Sequence, residues 1–131
     1  MGSLRIFQGV FAMLGLIVVA TGAVDLVSGT AALPGDTAVS TEVDSNYRFF
    51  AGVWLGLGIA MFVILRRITE HTALLLVITG AVFLGGLGRL VSLLLVGVPT
   101  PFMLGLLAVE LIVPPVLVIW QARLRRGDVR R

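Results

Sequence analysis

"TALLLVITGAVFLGGLGRLVSLLLVGVPTPFMLGLLAVELIVPPVLVIWQ", residues 72–121, decides the fold. Two apolar runs flank the short uncharged turn Val98, Pro99, Thr100, and each run carries a single charge, Arg89 or Glu110. Each run is long enough to cross a bilayer core as a helix, which takes about 20 residues. Residues 72–86 show no alternation of polar and apolar side chains, so the strand pattern of a membrane β-barrel is absent.

Working outward, residues 6–28 and 48–65 repeat the same character, giving four candidate spans at 6–28, 48–65, 72–97 and 101–121. The whole chain of 131 residues is 58% hydrophobic and 13% charged, with a mean hydropathy of +1.08, so most of its surface must face lipid. The spans leave no room for a soluble catalytic module. The expected fold is all-α, a single four-helix transmembrane bundle covering residues 1–131. The apolar run from Ile6 to Val24 exceeds the about 7–15 residues of a signal-peptide core, so it reads as a retained span. Gly15, Gly22 and Gly29, spaced by seven, mark a face of that span suited to close helix packing.

All ten basic residues are arginine. Arg5 precedes span one, Arg66 and Arg67 follow span two, and Arg123, Arg125, Arg126, Arg130 and Arg131 follow span four. By the positive-inside rule these ends are cytoplasmic, so both termini are expected inside and the acidic 29–47 loop outside. The location implied is a bacterial cytoplasmic (inner) membrane, crossed several times. The arginine tail follows a lipid-bound stem with no nucleic-acid motif before it, so nucleic-acid binding is not expected; attraction to anionic lipid is.

Four charges fall within or beside the spans. Arg89 lies eight residues before Gly97, about 12 Å below the outer end of its helix, and Glu110 lies nine beyond Pro101, about 14 Å down the next. The intervening turn is so short that these helices must be antiparallel neighbours, which makes an Arg89–Glu110 ion pair natural. Asp25 and Arg48 stand near the outer ends of spans one and two and can meet at a shallower level. The expectation is one cluster of Asp25, Arg48, Arg89 and Glu110 in the outer half, with Asn46 and Tyr47 as hydrogen-bond partners at its mouth. Spacing by four places Ala81 and Gly85 beside Arg89, and Gly52 and Gly56 beside Arg48, as small residues that let helices approach. Pro114 and Pro115 each lack an N–H and free the carbonyls of Glu110 and Leu111, so a kink is expected beside the acid, with Arg89 bonding a freed carbonyl.

Catalytic motifs are missing from the sequence. The single histidine, His71, sits in a polar turn on the opposite side from the cluster, and no G-x-S-x-G, H-E-x-x-H or P-loop occurs. Cysteine is absent, which excludes disulfides and thiolate metal sites. "GGLG" at 85–88 lies inside a span and reads as packing glycine. Enzymatic activity therefore has no support, and no cofactor or metal is expected.

The stretches "SNYRFFAGVWLGLG" (45–58), "FLGGLGRLVSLLLVGVPTP" (83–101) and "AVELIVPPVLVIWQ" (108–121) resemble a bacterial family of small four-helix membrane proteins known as domain of unknown function 4345. Asn46, Arg48, Phe49, Gly52, Gly56, Gly85, Gly86, Arg89, Glu110 and Pro114 carry the resemblance, which runs nearly end to end. It implies a four-span fold and brings no activity, substrate or cofactor. The function expected is that of an accessory or interaction subunit of a larger membrane complex. The alternative is a binder or carrier of a small lipophilic or anionic ligand, with the arginines facing the ligand and Glu110 as counter-charge. A multidrug-type transporter is the weaker third reading, since its acid belongs in the first span and this chain's charge bias is strong.

Overall fold

The computed structural model describes residues 2–33 and 39–129, with side chains described as far as Arg126. Four long helices, α1 (Gly2–Ser28), α2 (Thr41–Ile64), α3 (Thr72–Leu95) and α4 (Pro101–Val129), make up the described chain, with short 3-10 turns following α1 at Gly29–Ala32 and α2 at Leu65–Arg67. No strand occurs among the described residues. All four helices are long and apolar enough to cross a membrane. The chain is thus a multi-pass membrane protein whose elements fit an all-α four-helix bundle.

Local chemistry sets the helix ends. Gly29 adopts φ +61°, a left-handed conformation that stops α1 without the penalty a Cβ would bring. Ser40 caps α2, its hydroxyl accepting from the Val43 N–H at 3.4 Å, while Glu42 and Asp44 place negative charge in the first turn. This cap starts α2 at Thr41, seven residues before the expected span start at 48. The extra turns carry Asn46 and Tyr47 onto the helix. Pro101 opens α4, where its missing N–H needs no partner.

The helices form two compact units, Gln8–Arg66 and Arg67 onward together with the chain start through Phe7. Within the first, glycines bring α1 and α2 into backbone contact: a Cβ on Gly22 would stand 2.8 Å from the Leu55 nitrogen, and one on Gly58 2.9 Å from that of Val19. Gly15 faces Met61 and Phe62 of α2. The seven-residue glycine spacing on α1 therefore does mark a packing face. Trp54 is tied into this unit by its indole N–H, which donates to the Thr21 hydroxyl at 3.1 Å. Gln8 donates to the carbonyl of Leu65 at 3.1 Å, satisfying an orphan acceptor at the end of α2.

Within the second unit, α4 buries Leu107, Glu110, Pro114, Leu117 and Gln121, spaced alternately by three and four, which is the seam of a helix pair. From α3 the buried residues are Leu75, Ile78, Thr79 and Gly86. Phe7 packs edge-on to Trp120 with ring centroids 5.1 Å apart.

Three expected packing glycines are not at close contacts. A Cβ on Gly56 or Gly85 would meet nothing within 4 Å, and one on Gly52 would meet only Leu26 at 3.9 Å. The close approaches belong to Gly58 and Gly86, whose added Cβ would lie 2.7 Å from Val19 Cγ2 and 2.9 Å from Leu111 Cδ2. Spacing by four from each arginine picked the face on which the arginine's own backbone lies. The helix seam runs along a different face.

Candidate functional site

In place of one four-residue cluster, Arg48 and Arg89 each form an ion pair of their own, one in each unit. In the second unit, Arg89 Nε donates to Glu110 Oε2 at 2.7 Å, the short distance of a charge-assisted bond. Gly86 makes the pairing close: its missing Cβ lets α4 approach until Glu110 Cβ would lie 3.0 Å from the added atom. One turn further along α3, Arg89 then faces the acid. Glu110 is buried at 8% exposure, whereas 41% of the Arg89 side chain remains accessible, so the arginine covers the acid from the outside.

The second arginine contact departs from expectation. Arg89 Nη1 points at the sulfur of Met103, 3.3 Å away, and no bond to a carbonyl of α4 is made among the described residues. α4 is continuous from Pro101 to Val129 through both prolines. Pro114 lies on the buried seam and Pro115 on the exposed side. The Glu110 carboxylate, charged and reached by a short path from Gly86, is the stronger acceptor for Arg89 than a carbonyl turned along the helix axis.

In the first unit, Arg48 pairs with Asp44, not with Asp25. Arg48 Nε donates to Asp44 Oδ2 at 2.8 Å, and Nη1 donates to the carbonyls of Leu26 and Val27, both at 2.7 Å. The other Asp44 oxygen, Oδ1, accepts from the Thr30 N–H at 2.9 Å and the Thr30 hydroxyl at 3.0 Å. The Ser40 cap explains the choice of acid. Once 41–47 is helical, Asp44 lies one turn before Arg48 on the same face, the i,i+4 position at which side chains meet. Gly29 completes the arrangement, since an added Cβ there would collide with both Asp44 and Arg48. Asp25 is half-buried on α1 and makes no ion pair with Arg48. Asn46 is exposed, makes no side-chain hydrogen bond among the described residues, and forms no mouth. Tyr47 is half-buried on α2.

Sequence reasoning missed two buried polar groups, Thr79, whose hydroxyl donates to the Leu75 carbonyl of its own helix at 2.7 Å, and Gln121. Gln121, 1% exposed, donates to the Ile68 carbonyl at 2.7 Å and to the Thr72 hydroxyl at 3.0 Å. Arg125 also donates to that hydroxyl, at 2.8 Å. The signal was available in the three-and-four spacing of Leu107, Glu110, Pro114, Leu117 and Gln121, which puts an amide on the same stripe as the acid.

Chemically, Arg48 is the more fully engaged, with a carboxylate and two carbonyls, but its Nη2 also makes no bond among the described residues and its side chain is 40% accessible against 41% for Arg89. The Arg89 site is open on one side, with Nη2 making no bond among the described residues. Around it on α3, Ala81, Gly85, Gly88 and Ser92 are all exposed, and a Cβ on Gly85 or Gly88 would meet nothing. No group of three or more metal-ligating side chains occurs among the described residues.

Compared with known protein families, residues 6–121 match the model described as Domain of unknown function (DUF4345). No curated protein and no solved structure matches the chain.

Proposed function

We propose a role for this chain, which belongs to the DUF4345 family of domains of unknown function, from its own geometry: an accessory subunit that docks a partner's membrane helix against α3. One observation carries the reading. Arg89 sits within an apolar span, partly exposed, in a stripe of exposed small residues formed by Ala81, Gly85, Gly88 and Ser92. Small residues spaced in this way let a second helix backbone approach closely, which is how membrane helices associate without a hydrophobic drive. An unpaired arginine facing hydrocarbon costs about 2.5–3.5 kcal/mol on insertion scales; Glu110 offsets much of that, and a polar group on a docked helix would engage the donor that Glu110 leaves open.

A second reading rests on the open Nη2 atom. An anionic lipophilic ligand could place its head group against it, with the small-residue stripe as the recess, making the chain a binder or carrier. Both readings place the chain in a bacterial inner membrane with both termini cytoplasmic, as the arginine distribution favours. Because the sequence has no cysteine, single cysteines introduced at Ser3 and Ser40 test this directly: only the second is expected to label from outside intact cells.

The docking test is a photo-crosslinking residue at Gly88, with the same residue at Leu16 on an exposed part of α1 as control. The subunit reading expects a discrete crosslinked membrane protein from Gly88, absent from Leu16 and lost with Gly85→Leu. A stoichiometric small molecule in the purified protein, released by Arg89→Leu, favours the binder. Lipid-only crosslinks from both positions overturn the docking reading.

A further inference from the structure

The end of α4 distant from Glu110 holds a second unused arginine, and here a groove lies beside it. Val116, Ile119, Trp120 and Arg123 line a cavity of about 320 Å³. These positions are spaced by three and four, so one face of α4 supplies them all. The floor is apolar: Val116 and Ile119 are exposed aliphatics with 50% and 53% of their surface uncovered. Trp120 is held as a wall by two contacts, its edge-on packing with Phe7 and its indole N–H, which donates to the Ser3 hydroxyl at 3.3 Å.

Arg123 is the only charged residue of the lining, and it makes no hydrogen bond or ion pair among the described residues. Its neighbour Arg125 is already engaged by the Thr72 hydroxyl. Helix geometry separates the two. At about 100° per residue, Gln121 and Arg125 share the face that bonds to Thr72, and Arg123 points to the other side. Along α4, Arg123 lies seven residues beyond Val116, about 10 Å, with Trp120 between them. That sequence of surfaces, aliphatic, then indole, then guanidinium, follows the order of a phospholipid from acyl chain through interface to phosphate.

We propose that this groove is a binding site for one anionic phospholipid, its acyl chain on Val116 and Ile119 and its phosphate on Arg123. Charge complementarity selects the occupant. The guanidinium has no counter-ion among the described residues, and its planar donors suit a phosphate. A zwitterionic lipid brings an ammonium group to the same place, opposed by Arg123. A specific site also differs from the diffuse pull of an arginine tail, because it depends on one residue and not on the total charge.

The test uses the full chain with Trp54→Phe, which leaves Trp120 as the single tryptophan reporter. It is reconstituted in phosphatidylcholine vesicles containing a minor fraction of brominated phosphatidylglycerol or, in parallel, brominated phosphatidylcholine, which quench indole fluorescence on contact. Trp120 is expected to be quenched about fivefold more effectively by the anionic lipid, the equivalent of about 1 kcal/mol for one arginine near the surface. Arg123→Gln removes the preference, whereas Arg126→Gln, with the same change in net charge, preserves it. Equal quenching by the two lipids overturns the proposal, as does an equal loss from the two arginine substitutions. Circular dichroism checks that each variant is helical. Should Trp54→Phe disturb the fold, native mass spectrometry of the parent chain and the two arginine variants reads retained phosphatidylglycerol against the same expectations.

Discussion

Arg48 and Arg89 are both arginines at the edge of or within membrane helices, yet the protein satisfies them in different ways. Arg48 uses backbone: two of its bonds go to the carbonyls of Leu26 and Val27, and its carboxylate partner comes from its own helix. Arg89 uses only side chains, the Glu110 carboxylate of the next helix and the Met103 sulfur. Position explains the contrast. Leu26 and Val27 lie in the last turn of α1, where carbonyls have no helical N–H to accept and the helix dipole is negative. Arg89 lies inside α3 beside the middle of α4 and bonds no carbonyl among the described residues, and its carboxylate is delivered by the neighbouring helix. A charge at a helix terminus can be absorbed by the terminus itself; a charge at mid-span demands a second helix.

The largest test of that contrast is Glu110→Leu, which leaves Arg89 with a thioether as its only partner. A loss of about 3 kcal/mol is expected in reversible unfolding from mixed micelles, following the cost of an unpaired arginine in a span. The double substitution Arg89→Leu with Glu110→Leu restores most of it. If the double variant is no better than the sum of the two single losses, the pair is uncoupled and the mid-span half of the comparison fails.

Gly29→Ala is next, at about 2 kcal/mol, since the left-handed conformation and the collision with Asp44 and Arg48 add. The loss should vanish in an Arg48→Leu background to the extent that the collision, and not the backbone, causes it. The same unfolding measurement separates the two contributions.

A finer distinction is between the acids. Asp44→Asn is expected to lower the unfolding midpoint, because it weakens a charge-assisted bond to Arg48, while Asp25→Asn leaves the midpoint nearly unchanged. Equal effects would return Asp25 to the Arg48 site. The smallest effect is that of Met103→Leu, under about 0.5 kcal/mol, since the sulfur is a weak acceptor and the volume is nearly conserved. A larger loss would show that the thioether shares the charge of Arg89 in earnest.

How much of this was legible varies from residue to residue. The Arg89–Glu110 pair could be read from the short turn at Val98, Pro99 and Thr100, because antiparallel neighbours of equal depth have few other partners available. The glycine repeat of α1 was legible as well, and Gly22 and Gly29 both lie where a Cβ would collide. Asp44 was not, because the 41–47 stretch is too polar to read as span and its helix depends on the Ser40 cap. Gly85 and Gly86 are adjacent in a glycine-rich run, and spacing from Arg89 selected the neighbour of the one that packs. Gln121 escaped because an amide at the end of an apolar run looks like the start of a polar tail.

The sequence by itself determined that the chain crosses a membrane with four helices, since apolar length and the scarcity of charge are properties of composition that no packing can alter. It also determined that two opposite charges meet across α3 and α4. Tertiary structure decided which acid serves Arg48, which glycines form the seams and which arginine donors stay open. Those outcomes turn on helix starts and rotations, where a shift of one residue is about 100° of face, and only the packing of one helix on another fixes that angle.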